Sequence, residues 1–379
     1  MRLVPTPARL ARALLGAASL SLAVGCGGDP CRDVQVPAGT SLQATAQAVL
    51  DACLQAQGAP GGVVVVARGQ DVGVAVAGKA RGDGTPLTPG HLVRVGSVTK
   101  SVTAALVLHL AEQGRLSLDD TLESHVPGIP NGPRITLTHL LQMTSGLVSY
   151  TDLKEFGEGM ARPWTREELL ALVKAQKPAA EPGATWKYNN TNYFLLGLVV
   201  EQVTGRPFDA VLDAELLAPT GLSADVGLEG SERLEAGRLA AGFTAAGEEV
   251  ADPLDPDLVN TAGALVGTPE ALMRLLGHLG DGWLDAASVE RMRTPGPVQG
   301  FWEGLSGRAY GMGLWQGTVE GREVWGHPGG HPSGAVAYWL VEPRADVRVL
   351  VQFDTLEADA FPTAEAALRA VLQSAPPAP

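Results

Sequence analysis

Two pairs of short strand-like runs sit at opposite ends of this chain, and a long stretch of different character separates them. Near the start, Val63–Ala67 and Val72–Val76 are valine-rich segments split by Gly69 and Asp71, the pattern of a hairpin. Near the end, Ala335–Val341 and Val347–Phe353 form a second pair, joined across Glu342-Pro343-Arg344-Ala345. Between them, from about Leu116 to Val259, the chain reads as loops and helices with many Pro and Gly breaks. Strands at both ends with helices between predict one sheet built from the two ends and a helical insertion in the middle. The expected division is an α/β domain from residues 41–115 and 261–376, and a mainly helical domain from residues 116–260.

Helices to flank that sheet are also legible. Leu42, Ala46, Val49, Leu50, Cys53 and Leu54 recur at helical spacing, so a helix is expected from about Ser41 to Gln57. A long apolar segment runs from Ser97 to Gln113 and stops at Gly114. Glu270–Leu279 and Thr363–Gln373 read as two more helices. With 45% hydrophobic and 18% charged residues, the chain can bury a substantial core.

The first residues read as a targeting segment rather than part of the fold. Arg2, Arg9 and Arg12 precede the apolar run Ala13–Val24, which is shorter than the roughly 20 residues that a bilayer span needs. The run ends in Leu22-Ala23-Val24-Gly25-Cys26, which resembles a bacterial lipobox, although Ala23 departs from the usual leucine. Residues 1–25 are therefore expected to be a signal peptide, Cys26 a lipidated N-terminus, and residues 26–40 a tether. The expected location is the cell envelope, with the lipid as sole membrane contact; simple secretion is the alternative. With Cys26 lipidated, Cys31 and Cys53 remain, either as a disulfide suited to an oxidising compartment or as two unrelated thiols. The final Ser-Ala-Pro-Pro-Ala-Pro reads as a disordered tail.

Net charge is −13, from 41 acidic against 28 basic residues. That balance argues against nucleic acid as a partner, because nucleic-acid binding needs a basic face. The expected state is a monomer that meets a small-molecule or peptide substrate.

Three short strings carry the chemistry. Ser97-Val98-Thr99-Lys100 opens the long apolar segment. At a spacing of three, the two side chains lie on one helix face, one turn apart. A serine hydroxyl is a poor nucleophile until a base takes its proton, and a lysine is such a base only when burial keeps it partly neutral. Val95, Val98, Val102 and Leu106 supply apolar surroundings. Alone, the motif favours the reading of a capping serine beside a snorkelling lysine.

The second string is Tyr188-Asn189-Asn190. A tyrosine near the lysine can move a proton between serine and leaving group, and an asparagine amide can bind a substrate carbonyl and the lysine together. The alternative is an asparagine-rich turn over Asn189–Asn192, ahead of a helix from Tyr193 to Val203.

The third string is His327-Pro328-Gly329, continuing through Gly330 and His331. Its glycines would let a strand edge lie close to a ligand backbone. The Gly330 amide could pair with that of Ser97 as an oxyanion hole, and His327 could polarise the site or contact an anionic group. The alternatives are a Gly/Pro turn before a strand, and a His-x-x-x-His metal pair. The latter lacks a third ligand of matching spacing, so no metal is expected there.

In order, these strings and their surroundings resemble the serine β-lactamase-like family, which holds class C β-lactamases, D-Ala-D-Ala carboxypeptidases and related esterases. The supporting segments are VRVGSVTKSVTAALVLHLAEQGRLSLDD, ITLTHLLQMTSGL, PGATWKYNNTNYFLLGLVVEQVTG, TAGALVGTPEALMRLL, YGMGLW and GHPGGHPSG. They cover about residues 41 to 375. The resemblance implies an antiparallel sheet flanked by helices, with an inserted helical domain and the site between them. It implies Ser97 as nucleophile, Lys100 and Tyr188 as the proton-transfer pair, and Asn190, His327 and Gly329 as substrate contacts. The amides of Ser97 and Gly330 would form the oxyanion hole, and the resemblance implies neither a metal nor an organic cofactor.

Two departures bear on the substrate. Pro328 and Gly330 stand where the carboxypeptidases carry threonines that hold a terminal carboxylate, and His327 stands where class C enzymes have lysine. The expected activity is hydrolysis of an ester or peptide amide through an acyl-enzyme on Ser97. D-Ala-D-Ala peptides and β-lactams are included among the candidates. The alternative is a slow or non-catalytic sensor of cell-wall peptides. A Ser-His-Asp esterase fits less well, because the chain contains no Gly-x-Ser-x-Gly elbow.

Overall fold

The computed structural model describes residues 31, 33–159, 164–244, 246–250, 256–280, 282–299 and 309–374. The expected signal segment, Cys26 and the tail beyond Ser374 lie outside the described residues. The strands are β1 (Gly61–Arg68), β2 (Asp71–Gly78), β3 (Val93–Arg94), β4 (Val226–Leu228) and β5 (Leu265–Gly267). After them come β6 (Ala309–Tyr310), β7 (Trp315–Val319), β8 (Arg322–His331), β9 (Ala335–Glu342) and β10 (Val347–Phe353). The helices that frame the site and sheet are α1 (Leu42–Ala56), α2 (Thr99–Glu112), α3 (Asn190–Thr204), α4 (Pro256–Gly263), α5 (Pro269–His278) and α6 (Ala360–Ser374).

The larger sheet has the order β2-β1-β10-β9-β8-β7-β6, so the two ends of the chain meet inside it, one strand in from the β2 edge. There β1 pairs antiparallel with β10, from Gly62 opposite Phe353 to Arg68 opposite Val347. β1 is buried on both faces, which explains a continuous valine run where a half-exposed strand would alternate. Val64 and Val66 face α1 and α6, together with Val49, Leu50, Val349, Val351 and Leu368. Val63 and Val65 belong instead to the core that includes α2 and the middle of the chain. The architecture is thus an antiparallel sheet with helices on both faces.

α1 starts where Ser41 accepts a hydrogen bond from the Ala44 N–H, a side-chain N-cap. Cys53 on α1 is joined to Cys31 by a disulfide, and the Cys31 Sγ lies 3.5 Å from Thr363 Oγ1 on α6. The segment before α1 is thereby fixed to the α1–α6 face of the sheet.

Two elements differ from a sequence reading, and a third decides between two. β4 lies within the stretch read as helices and loops, and at three residues it is too short to show a period of two. α3 begins at Asn190, not after Asn192; only Asn189 precedes it, as the cap that accepts from Thr191 N–H. Asparagine has weak helix propensity, but buried tertiary bonds hold these residues in the first turn: Ser145 donates to Asn192 Oδ1 at 2.6 Å. The His327–His331 segment is the second half of a long strand, in keeping with the strand-edge reading of its glycines and not with the alternative of a turn.

That strand has unequal edges. β9 pairs with β8 from Trp325 through His331, whereas β7 pairs only with Arg322 through Gly326. Beyond Gly326, one edge of β8 has no neighbouring strand among the described residues. Pro328 fits there, since a proline is tolerated in a sheet where its nitrogen faces an open edge. With a period of two, the Gly330 N–H faces the same way.

Candidate active site

The open half of β8 is met by the turn that carries Ser97. The smaller sheet, of order β3-β5-β4, delivers the chain from Arg94 into a 3-10 turn, Gly96–Val98, which runs on into α2. Gly96 is required twice over. Its φ is +51°, and a Cβ there would lie 2.6 Å from the Gly330 carbonyl oxygen and 2.8 Å from the Gly330 nitrogen. Gly329 is equally tight, because its Cβ would fall 1.9 Å from the Val95 carbonyl oxygen and 3.2 Å from the Ser97 nitrogen. The glycines therefore let two backbones approach with nothing between them.

Lys100 lies one turn beyond Ser97 and is wholly buried. Its Nζ donates to Ser97 Oγ at 2.9 Å and to the Ala262 carbonyl at 2.7 Å. The rings of Tyr188 and Tyr193 lie 5.0 Å and 5.8 Å away. Burial among these groups and the apolar residues of α2 holds the amine well below the ordinary lysine range. The Ala262 carbonyl belongs to the last turn of α4, where helix carbonyls lack intrahelical partners. A break at Asn260, with φ +33°, interrupts α4 just before it. No sequence pattern marks this backbone oxygen.

Tyr188 shows the opposite shift. Its hydroxyl is buried without a hydrogen-bond partner among the described residues. Burial raises its pKa, and nearby Ser97 opposes the rise only in part. The environment therefore pushes the two proton-carrying groups apart, the amine toward neutrality and the phenol toward keeping its hydrogen. Such divergence is how neighbouring groups acquire base and acid roles.

His327 is fully buried, 6.2 Å ring to ring from Tyr188 and 6.0 Å from Tyr310. Its Nδ1 lies 2.6 Å from the Pro328 carbonyl, and a carbonyl only accepts, so Nδ1 carries the hydrogen. Nε2 then presents a lone pair, buried and without a partner among the described residues. Burial, and secondarily the charge of Lys100, lowers its pKa to about 3. The ring is neutral at ordinary pH. It suits hydrogen bonding rather than the contact with an anionic group considered from the sequence.

Asn190 is buried beside Ser149 and Thr151. Its backbone N–H donates to Ser149 Oγ at 3.1 Å and its Nδ2 to Thr151 Oγ1 at 3.2 Å. Lys100 Nζ bonds Ser97 and Ala262 rather than this amide. The structure thus brings Ser97, Lys100, Tyr188, His327, Gly329 and Gly330 to one locus. Sequence reasoning missed Tyr193 and Tyr310 there. Both stand in the segments that carry the resemblance, and their pattern showed no more than apolar helix and strand.

A serine and a desolvated lysine at a helix mouth, faced by a tyrosine and by a glycine-rich strand edge, on an antiparallel sheet flanked by helices, define the β-lactamase/transpeptidase fold. Residues 46–373 match the Beta-lactamase family, and the chain belongs to it. It is 34% identical to Esterase EstB of Burkholderia gladioli over 199 residues, 48% of this chain and 50% of the esterase. The chain spans about half the length of the curated relatives that it matches first. Among solved structures, it resembles a D-stereospecific amidohydrolase from Streptomyces sp. (TM-score 0.73, 28% identity, 86% of this chain and 98% of that one). It also resembles an octameric penicillin-binding protein homologue from Pyrococcus abyssi (TM-score 0.74, 27% identity, 85% of this chain and 75% of that one).

Proposed function

We propose that the protein is a serine hydrolase that cleaves esters or amides through an acyl-enzyme on Ser97. The observation that carries this reading is the buried amine of Lys100, 2.9 Å from the Ser97 hydroxyl and depressed in pKa by desolvation. As Ser97 Oγ attacks the substrate carbonyl, its proton passes to Lys100. The Ser97 and Gly330 amides hold the developing oxyanion. Tyr188 gives its hydrogen to the leaving oxygen or nitrogen and is refilled from Lys100. Water then attacks the acyl group, the same groups move protons in reverse, and Ser97 is released. Gly329 lies against the Ser97 turn on the substrate's path, and Asn190, two residues beyond Tyr188, is the further candidate contact.

The polar groups around the serine favour substrates without a carboxylate beside the scissile bond. His327 is neutral, and neither Pro328 nor Gly330 offers a hydroxyl. The likeness to an esterase and to a D-stereospecific amidohydrolase points the same way. We therefore place short-chain esters and D-amino-acid amides ahead of D-Ala-D-Ala peptides and β-lactams. The test is a comparison of kcat/KM on p-nitrophenyl butyrate, a D-amino-acid amide, a D-Ala-D-Ala peptide and a chromogenic β-lactam. The first two should lead; a β-lactam or D-Ala-D-Ala peptide in first place would reverse the assignment. An envelope location with lipid on Cys26 fits the Cys31–Cys53 disulfide, which an oxidising compartment preserves. Metabolic labelling with a fatty-acid analogue, lost in Cys26→Ser, tests it.

A further inference from the structure

The two amides assigned to the oxyanion hole come from different sheets. Ser97 follows β3 of the smaller sheet, and Gly330 lies in β8 of the larger one, so no strand ladder joins them. A buried ionic cluster crosses this gap. Arg94 on β3, three residues before Ser97, holds Glu229 with two bonds, Nε to Oε2 at 2.9 Å and Nη2 to Oε1 at 2.6 Å. Its Nη1 donates to the Ala240 carbonyl at 2.9 Å. Glu229 directly follows β4, and its own N–H donates to the Ala264 carbonyl at 2.7 Å, next to β5. Glu229 Oε2 also lies 3.6 Å from Nε2 of His331, the last residue of β8 and the neighbour of Gly330.

The hydrogen on His331 is placed by its other nitrogen. The Ser333 backbone N–H donates to Nδ1 at 3.2 Å. An N–H can only donate, so Nδ1 is the bare nitrogen and Nε2 carries the hydrogen, 3.6 Å from the carboxylate oxygen, in van der Waals and electrostatic contact but beyond hydrogen-bonding range. The side chains of Arg94, Glu229 and His331 are 4%, 8% and 3% exposed, so water does little to loosen these contacts. Buried ion pairs are often no more stabilising than apolar side chains of the same volume. Stability alone therefore does not account for three charged or polar groups at this junction. Direction does, since a bidentate guanidinium–carboxylate pair fixes both distance and angle.

We propose that Arg94, Glu229 and His331 form a positioning cluster that sets the spacing between the Ser97 and Gly330 amides, and thereby the rate of acylation rather than the affinity for substrate. This rests on the reading of Ser97 as the acylated nucleophile. Oxyanion donors act only when both point at the developing charge, and a misplacement near 1 Å costs about 100-fold in rate. The cluster touches neither substrate nor reacting atoms; it acts through β8, which carries one donor, and through β3, which leads into the turn that carries the other.

The experiment uses the whole protein and an alkyl fluorophosphonate probe, with kinact and KI measured separately and unfolding midpoints recorded for each variant. Wild type should be labelled at Ser97, and Ser97→Ala should not. His331→Leu, which keeps the Arg94–Glu229 pair, should lose about 10-fold or more in kinact while KI changes by less than about twofold. His331→Gln, whose amide N–H can again face Glu229, should recover most of the loss. If His331→Leu fails to fold, Glu229→Gln should show the same loss in kinact alone. Wild-type kinact in the folded variant, a loss confined to KI, or no recovery in His331→Gln overturns the proposal. A wild type that the probe does not label at Ser97 overturns the nucleophile assignment itself, and this inference with it.

Discussion

His327 links the site to the acid stability of the fold. Burial, helped by the charge of Lys100, lowers its pKa from 6.5 to about 3. In the unfolded chain the ring returns to 6.5. Between those values the unfolded state binds a proton that the folded state refuses. Stability therefore falls as pH drops below 6.5, by about 1.4 kcal/mol per pH unit, until the folded ring also titrates near pH 3. At pH 5 the loss from this one group is about 2 kcal/mol. His327→Gln keeps a hydrogen-bonding side chain and removes the titration. Urea unfolding, followed by tryptophan fluorescence at pH 7 and pH 5, gives the free-energy gap between variant and wild type at each pH. Carboxylates elsewhere contribute to both proteins and cancel. From pH 7 to pH 5 the gap should move about 2 kcal/mol in the variant's favour. A gap that stays constant, or moves toward wild type, would refute a buried neutral ring at this position.

Three other outcomes follow from the geometry. Lys100→Arg keeps a cation that cannot lose its proton, so acylation should fall by about 1,000-fold, and wild-type kcat/KM should rise with pH along a limb far below 10.5. Stopped-flow burst kinetics with p-nitrophenyl butyrate measure both; an active arginine variant would exclude the lysine as base. Gly329→Ala places a methyl 1.9 Å from the Val95 carbonyl, so β8 must move off the Ser97 turn and kcat should drop about 100-fold; unaltered turnover would mean that the strand does not press on the nucleophile. Replacing Cys31 and Cys53 together by serine opens a cross-link between residues 22 apart and should cost about 3 kcal/mol in urea unfolding. Esterase kcat/KM at 25 °C should be unchanged, because the bond lies in the α1–α6 core and Lys100 packs on the other face of the sheet.

What the sequence showed and what it hid divide by physical scale. The Ser97–Lys100 relation is local, since a spacing of three fixes both on one helix face. The valine run of β1 identifies itself because a strand buried on both faces is apolar along its length. Tyr188 and His327 lie far apart in the chain and became legible through the resemblance carried by the segments around them. The reach of β8 stayed hidden, because Pro328, Gly329 and Gly330 have turn-like propensities. They sit in a strand only because β9 pairs on one side and the Ser97 turn fills the other. The Ala262 carbonyl left no signal, since every residue has one and only its placement matters. Arg94 and Glu229 are 135 residues apart, and charged pairs at such range cannot be matched from sequence.

Peptide mapping of the acyl adduct tests the chemistry at its source. Protein quenched within milliseconds of mixing with p-nitrophenyl butyrate at neutral pH would be digested and its modified residue located by mass spectrometry. The butyryl group should sit on Ser97 in wild type, and Lys100→Ala should carry none on that timescale. A butyryl group on any other residue, or equal labelling of Ser97 in Lys100→Ala, would show that the buried amine is not what makes this hydroxyl a nucleophile.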